Sequence, residues 1–184
     1  MRLFAALPVD GEARDELVRV LERLRRRDWP VKWVRDDGLH VTLKFLGEVD
    51  PERAPAVATA IRDAVRETPT LPFTPTELGA FPNPSQAKVL WAGYQTETAL
   101  ELMVHRIEQA TGALGFPIEG RAFRPHVTLG RVRDGARLPR EAAELLRRES
   151  LAAGFTSERV VLFQSHTGAG GARYVELDSF SLGV

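Results

Sequence analysis

The tetrapeptide His40-Val41-Thr42-Leu43 recurs verbatim as His126-Val127-Thr128-Leu129, an offset of 86 residues in a chain of 184 that holds only four histidines. The chance of a second copy in such a composition is on the order of a few in a thousand. Each copy lies in a segment of high β-propensity, Leu39–Leu46 and His126–Val132, and each segment is predicted to be a strand. Strand side chains alternate faces with a rise near 3.3 Å, so the His and Thr of one copy point the same way, about 7 Å apart at the backbone, while Val and Leu point into the core. A polar pair stands on an apolar base, twice.

Around the first copy, Arg2–Leu7 reads as a strand, and Asp10 is placed to cap a helix with an apolar stripe of Leu17, Val20, Leu21 and Leu24 that ends before Pro30. Val31–Val34 reads as a short strand and Asp36-Asp37-Gly38 as a turn. Asp50 and Pro51 open a second helix with Ala54, Val57, Ala58, Ile61 and Val65 on one side. Leu71–Phe81 and Lys88–Tyr94 are extended. Thr96 or Thr98 starts a third helix around Leu100, Met103, Val104 and Ile107, and Pro139 opens a fourth that runs to about Arg148. Phe155–Ser165 and Arg173–Leu182 read as a hairpin joined through Gly168-Ala169-Gly170-Gly171. Several strand-to-strand connections are too short for parallel crossovers, so the class is α+β, with antiparallel or mixed sheets and helices packed on them.

Hydrophobic residues at 43% and charged residues at 27% are enough for a sizeable core and do not fit a disordered tail. Twenty-five basic and twenty-five acidic residues cancel, which argues against a broad positive field for coating long nucleic acid without excluding a small or terminal phosphate ligand. With no cysteine there is no disulfide, thiolate nucleophile or cysteine-bound metal, which suits a reducing cytoplasm. No apolar run approaches the roughly 20 residues of a bilayer span. There is no His-Glu-x-x-His, no nucleotide-binding glycine pattern and no Gly-x-Ser-x-Gly elbow, so neither metal nor cofactor is expected.

If the two segments are related by an approximate two-fold axis, both His/Thr pairs face one cleft. Two imidazoles on opposite sides of a phosphorus can act as general base and general acid in an in-line displacement, while threonine hydroxyls donate to non-bridging oxygens. Histidine suits both roles because its ordinary pKa near 6.5 lets neutral and charged rings coexist. A lone strand histidine is usually structural; two in identical tetrads point to a shared task. His105 and His166 lie outside any such frame and default to surface or structural roles.

Four segments in the same order, Arg2–Leu7, Leu39–Glu48, Arg124–Arg131 and Gly170–Tyr174, resemble the 2H phosphoesterase superfamily, and most of all its RNA 2′,3′-cyclic phosphodiesterase branch, also called 2′-5′ RNA ligase-like proteins. The resemblance implies a bilobal α+β fold with two pseudo-symmetric, mostly antiparallel sheets, helices on their outer faces and a central cleft, all within residues 1–184. It implies metal-independent hydrolysis of a terminal RNA 2′,3′-cyclic phosphate to a 2′-phosphate, with His40 as proton donor to the leaving 3′ oxygen and His126 as proton acceptor from water. Thr42, Thr128 and Arg131 would bind the phosphate.

Strict alternation points Arg131 away from His126, and Gly130 offers a place for a bulge that turns it back. Phe45 holds the matching position after the first tetrad, where it either stacks on a base or packs as a core aromatic. Arg121, Arg124, Arg131 and Arg133 run without an intervening acid, and Lys44 adds a cation from the first half. RNA 3′ ends or small cyclic nucleotides are the expected substrates of a monomer with no obligate protein partner and no membrane. The reverse transfer, which gives a 2′-5′ RNA ligase, and a nucleotide-binding module without turnover are the alternatives.

Overall fold

The computed structural model describes residues 1–168 and 171–183. Ala169 and Gly170 of the expected Gly-rich turn lie outside the described residues. Leu3 through Leu7 of β1 (Arg2–Pro8), which pairs with β3 (His40–Glu48) and β8 (Arg159–Gly168), are all buried, because Leu3, Ala5 and Leu7 enter the main core and Phe4 and Ala6 an aromatic cluster on the other face. A strand covered on both faces carries a continuous apolar run rather than an alternating one.

The remaining strands are β2 (Val31–Trp33), β4 (Leu71–Phe81), β5 (Val89–Gln95), β6 (His126–Val132), β7 (Phe155–Ser157) and β9 (Gly171–Ser181). The order β7-β4-β5-β6-β3-β1-β8-β9, with β2 on β6, makes one nine-stranded sheet whose pairings are all antiparallel. The two expected sheets are therefore continuous, joined where Val41 of β3 pairs with Val127 of β6. The expected strand Phe155–Ser165 is broken at Glu158: β7 pairs with β4 and β8 with β1, so the chain turns a corner from one end of the sheet toward its other half, and the sheet is curled.

Of the four α-helices among the described residues, the first three bury residues that their spacing marked, although Asp10 makes no side-chain cap bond at the start of the first. α1 (Gly11–Arg25) inserts Leu17, Val20, Leu21 and Leu24, and α2 (Ala54–Val65) inserts Val57, Ile61 and Val65. α3 (Thr98–Ala113) inserts Leu100, Met103 and Ile107, and α4 (Ala142–Arg148) inserts Ala142 and Leu146. Asp50 does cap, accepting from the Glu52 amide at 3.0 Å, but the first turn is a 3-10 turn over Pro51–Arg53 and α2 begins after it. Pro139 precedes α4 rather than opening it, its carbonyl accepting from the Ala142 amide at 3.0 Å.

The helices share one core with Leu3, Ala5, Leu7, Val41, Leu43, Leu90, Ala92, Val127 and Leu129 of the sheet. The opposite face carries a separate aromatic cluster of Phe4, Ala6, Val161 and Phe163, with Tyr174 against it. No described helix is long and apolar enough to cross a membrane.

Candidate active site

The antiparallel pair Val41–Val127 sets the site. One step along either strand places His40 opposite Thr128 and Thr42 opposite His126, all four on the face that the two valines leave. Diagonal neighbours in such a pair lie about 7–8 Å apart at the backbone, a span that one phosphate can bridge between two imidazoles. The sequence places the four residues in two separate strands; the sheet brings them into one quartet.

Both strands repeat the same burial pattern over six residues: His and Thr half-buried, Val and Leu buried, then Lys44 or Gly130 buried and Phe45 or Arg131 exposed. Two successive inward residues break the alternation, and the register explains why. On β6, Thr128 pairs with Trp91 and Gly130 with Leu90, so Leu129 is an extra residue; on β3, Thr42 pairs with Ala6 and Lys44 with Ala5, so Leu43 is extra. Each tetrad thus ends in a β-bulge, which shifts the parity of the residues beyond it and returns Arg131 and Phe45 to the His/Thr face.

Gly130 is required beside the bulge, because a Cβ there would lie 2.5 Å from Val31 Cγ1 and 2.9 Å from Trp33 Cε3. Phe45 is 62% exposed, which removes the core-aromatic alternative.

Lys44 does not serve the cleft. The bulge turns it to the helix-covered face, where its buried ammonium pairs with Glu108 at 2.5 Å and also donates to the Pro117 carbonyl. Glu108 also accepts from the Glu119 amide at 3.1 Å, so this ion pair ties β3 to α3 and to the segment leading into β6. Arg121 is paired with Glu119 at 3.3 Å and exposed. His105 and His166 are exposed and outside the quartet.

The two catalytic candidates are held alike. His40 Nδ1 lies 2.8 Å from the Gly38 carbonyl and His126 Nδ1 lies 2.7 Å from the Arg124 carbonyl, each two residues upstream. A carbonyl only accepts, so each Nδ1 carries hydrogen and each Nε2 is the nitrogen left for chemistry. An aromatic edge packs on each ring as well: Tyr174 on His40 at 5.1 Å and Phe81 on His126 at 5.2 Å, both at 86° between planes. These two aromatic partners carry no signal next to the tetrads, since they come from β9 and β4.

The surroundings separate the two rings. Burial pushes His40 down to about 4, with the Gly38 bond opposing and the neighbouring His126 adding to the fall. His126 is also lowered, first by burial and then by the Arg131 charge, against the Arg124 bond. Burial raises the Tyr174 phenol, while Arg131 and Arg2 pull it down. Among the described residues no group of three or more His, Cys, Asp or Glu side chains is arranged to hold a metal ion.

Comparison with known proteins identifies the relatives of this chain. The family model for LigT like Phosphoesterase matches residues 7–91 and 94–174. An RNA 2′,3′-cyclic phosphodiesterase of Thermotoga maritima is 32% identical over 133 residues, spanning 72% of this chain and 71% of its own. Another from Archaeoglobus fulgidus is 33% identical over 150 residues, spanning 82% and 81%. Among solved structures, the Thermus thermophilus protein TT0787 superposes with a TM-score of 0.81 at 27% identity over 99% of this chain and 98% of that one. E. coli LigT complexed with 3′-AMP gives 0.77 at 25% identity over 98% and 97%.

Proposed function

The chain belongs to the LigT-like 2H phosphoesterase family, and from that premise we propose that it hydrolyses terminal RNA 2′,3′-cyclic phosphates to 2′-phosphomonoesters without a metal ion. The observation that carries this reading is the pair of imidazoles on one face, each fixed through Nδ1 and each with Nε2 free.

In this mechanism the Nε2 of neutral His126 takes a proton from water as the water oxygen bonds to phosphorus. The bond from phosphorus to O3′ breaks on the opposite side, and His40 Nε2–H gives its proton to that oxygen. The product is a 2′-phosphate, and the two rings exchange charge states, to be reset through solvent. Thr42 and Thr128 donate to non-bridging oxygens, and Arg131 supplies a fixed positive charge where negative charge builds up. His40 must be charged to act, although burial holds it near 4; the substrate's phosphate anion supplies the opposing charge that raises it. Phe45, exposed beside the quartet, offers its ring to a base.

The same reading takes residues 1–184 as one two-lobed domain built by duplication around 40–43 and 126–129. Matching neighbourhoods support it: β3 pairs with β1 and β1 with β8 in one half, β6 with β5 and β5 with β4 in the other.

The test is incubation of an oligonucleotide ending in a 2′,3′-cyclic phosphate with the protein in EDTA. Release of a 2′-phosphate end supports the proposal. Ligated 2′-5′ product, binding without turnover, or strict dependence on an added metal would each replace it.

A further inference from the structure

We propose that Tyr174 is a positioning residue for His40: it closes an aromatic box around the imidazole and braces Gly38, the residue whose carbonyl sets the ring's tautomer. Its catalytic consequence rests on the phosphodiesterase reading; its structural consequence does not.

The packing around the imidazole and its anchor carries the inference. Tyr174 meets the His40 ring edge-on at 5.1 Å, in a box completed by Phe4 at 4.9 Å and Phe163 at 6.1 Å from the imidazole. Phe4 and Phe163 stack on each other at 5.3 Å and Tyr174 packs T-shaped on Phe4 at 5.1 Å, so the three rings hold one another. A Cβ on Gly38 would lie 3.1 Å from Tyr174 Cε2, so the phenol ring rests on the backbone that supplies the 2.8 Å acceptor to His40 Nδ1. Tyr174 therefore touches both the ring and its anchor.

Among the described residues His126 has a thinner aromatic shell, one T-shaped ring contact, with Phe81. The two halves of the site thus differ in what covers the imidazole, although their tetrads are identical.

The charges facing His40 do not account for its environment. From β6 it meets His126, with Arg131 beyond. A cavity of about 170 Å³ beside it is lined by Asp10 and Arg14 together with Asp36, Asp37, Arg159 and Glu176. In that wall Asp36 is held by Arg25 at 2.8 Å, Asp37 by Arg35 at 3.0 Å and Glu176 by Arg159 at 2.8 Å, so most of the charge is paired. What remains is exclusion of water by the aromatic box. Opening the box lets water solvate the charged imidazole and frees the Gly38 carbonyl to move.

The experiment records imidazole nitrogen and proton NMR titrations of the full chain beside steady-state kinetics on a nucleoside 2′,3′-cyclic phosphate. In Tyr174→Ala, His40 should titrate higher by about one pH unit or more and show mixed tautomers; kcat should fall by about tenfold or more while KM changes less than about threefold. Tyr174→Phe, which keeps the ring, should match the wild type in both readouts. An unchanged His40 titration and tautomer in Tyr174→Ala overturns the proposal. So does a loss of kcat in Tyr174→Phe with His40 unmoved, which would make the hydroxyl itself the active group. If Tyr174→Ala does not fold, Tyr174→Leu is read by the same criteria. Absence of turnover in the wild type would overturn the phosphodiesterase reading while leaving the NMR outcome to decide this one.

Discussion

Val41 and Val127 face each other across β3 and β6, and this one pair joins the two halves of the sheet and orients both tetrads. Because a one-residue slip would turn every side chain to the other face, the pair decides whether the histidines share a cleft at all. Both valines are fully buried, so the register is held by the core rather than by the ligand.

The first expectation concerns the two imidazoles as a unit. His40→Gln and His126→Gln should each lower kcat by about 10²–10⁴-fold with the fold intact, since each replaces a proton-transfer group with one that cannot titrate. The double variant should be little worse than either single one, because groups that act in one concerted step are non-additive. Steady-state kinetics in EDTA, with circular dichroism as the folding control, decide it; near-normal rates in either variant remove that residue from the mechanism.

A second expectation comes from the lowered His40. Its folded pKa of about 4 lies below the ordinary 6.5, so between these values the unfolded chain binds more protons than the folded one. Stability should be constant above pH 6.5 and decline as pH falls from 6.5 toward 4, by at most about 3.5 kcal/mol from this group at about 1.4 kcal/mol per pH unit. His126, lowered in the same direction, adds to the same window. Urea unfolding at pH 7 and pH 4.5 measures the drop, and His40→Gln should shrink it; an equal drop in the variant would locate the acid sensitivity elsewhere.

Much of the site is legible in the sequence because strand alternation places His and Thr together without reference to any partner. The helices are legible for a similar reason, as in α1, where Leu17, Val20, Leu21 and Leu24 mark one face by spacing alone. The bulges at Leu43 and Leu129 are not, since a bulge is defined by counting residues against the neighbouring strand. That is why Lys44, which alternation aims at the cleft, stands instead in a buried ion pair, and why Arg131 stands where alternation forbids it. Phe81 stays hidden for a related reason, reaching His126 through the sheet from 45 residues away, and Tyr174, although it closes the resembling segment Gly170–Tyr174, gives no sign in the sequence that it meets His40, 134 residues away.

Gly130 tests the bulge directly. In Gly130→Ala the new methyl group would meet Val31 Cγ1 at 2.5 Å, so β2 must shift or β6 must straighten. The cost expected for such overpacking is about 1–3 kcal/mol in unfolding free energy. Arg131 should lose its aim, so binding of inorganic phosphate should weaken together with kcat/KM, while Arg131→Ala should reproduce the binding defect without the loss of stability. Calorimetric phosphate titration and denaturant melts separate the two effects, and unaltered phosphate affinity in both variants would detach Arg131 from the ligand.

The Lys44–Glu108 pair, with side chains 4% and 9% exposed, gives a stability prediction of the opposite kind. Lys44→Met leaves the Glu108 carboxylate buried without its cation and should cost about 3–5 kcal/mol, whereas Lys44→Met with Glu108→Leu removes both charges and should recover most of that loss. Denaturant midpoints for the two variants check this. Equal destabilisation in both would mean that the hydrogen bonds to the Pro117 carbonyl and the Glu119 amide, not the charge pairing, hold that segment.

Phe45 stands at the position that Arg131 fills in the other half, delivered to the cleft by the equivalent bulge, and it is 62% exposed with its ring 6.0 Å from that of Phe4. A large ring so exposed contributes little to folding, so Phe45→Ala should change stability by no more than about 0.5 kcal/mol. A base stacked on it would lose about 1–3 kcal/mol of binding free energy, roughly 5- to 150-fold in affinity. Inorganic phosphate has no base to lose. Titrating Phe45→Ala with a nucleoside 3′-phosphate and with phosphate alone should therefore show a defect in the first and none in the second; equal affinities of variant and wild type for the nucleotide would leave the ring outside the substrate site.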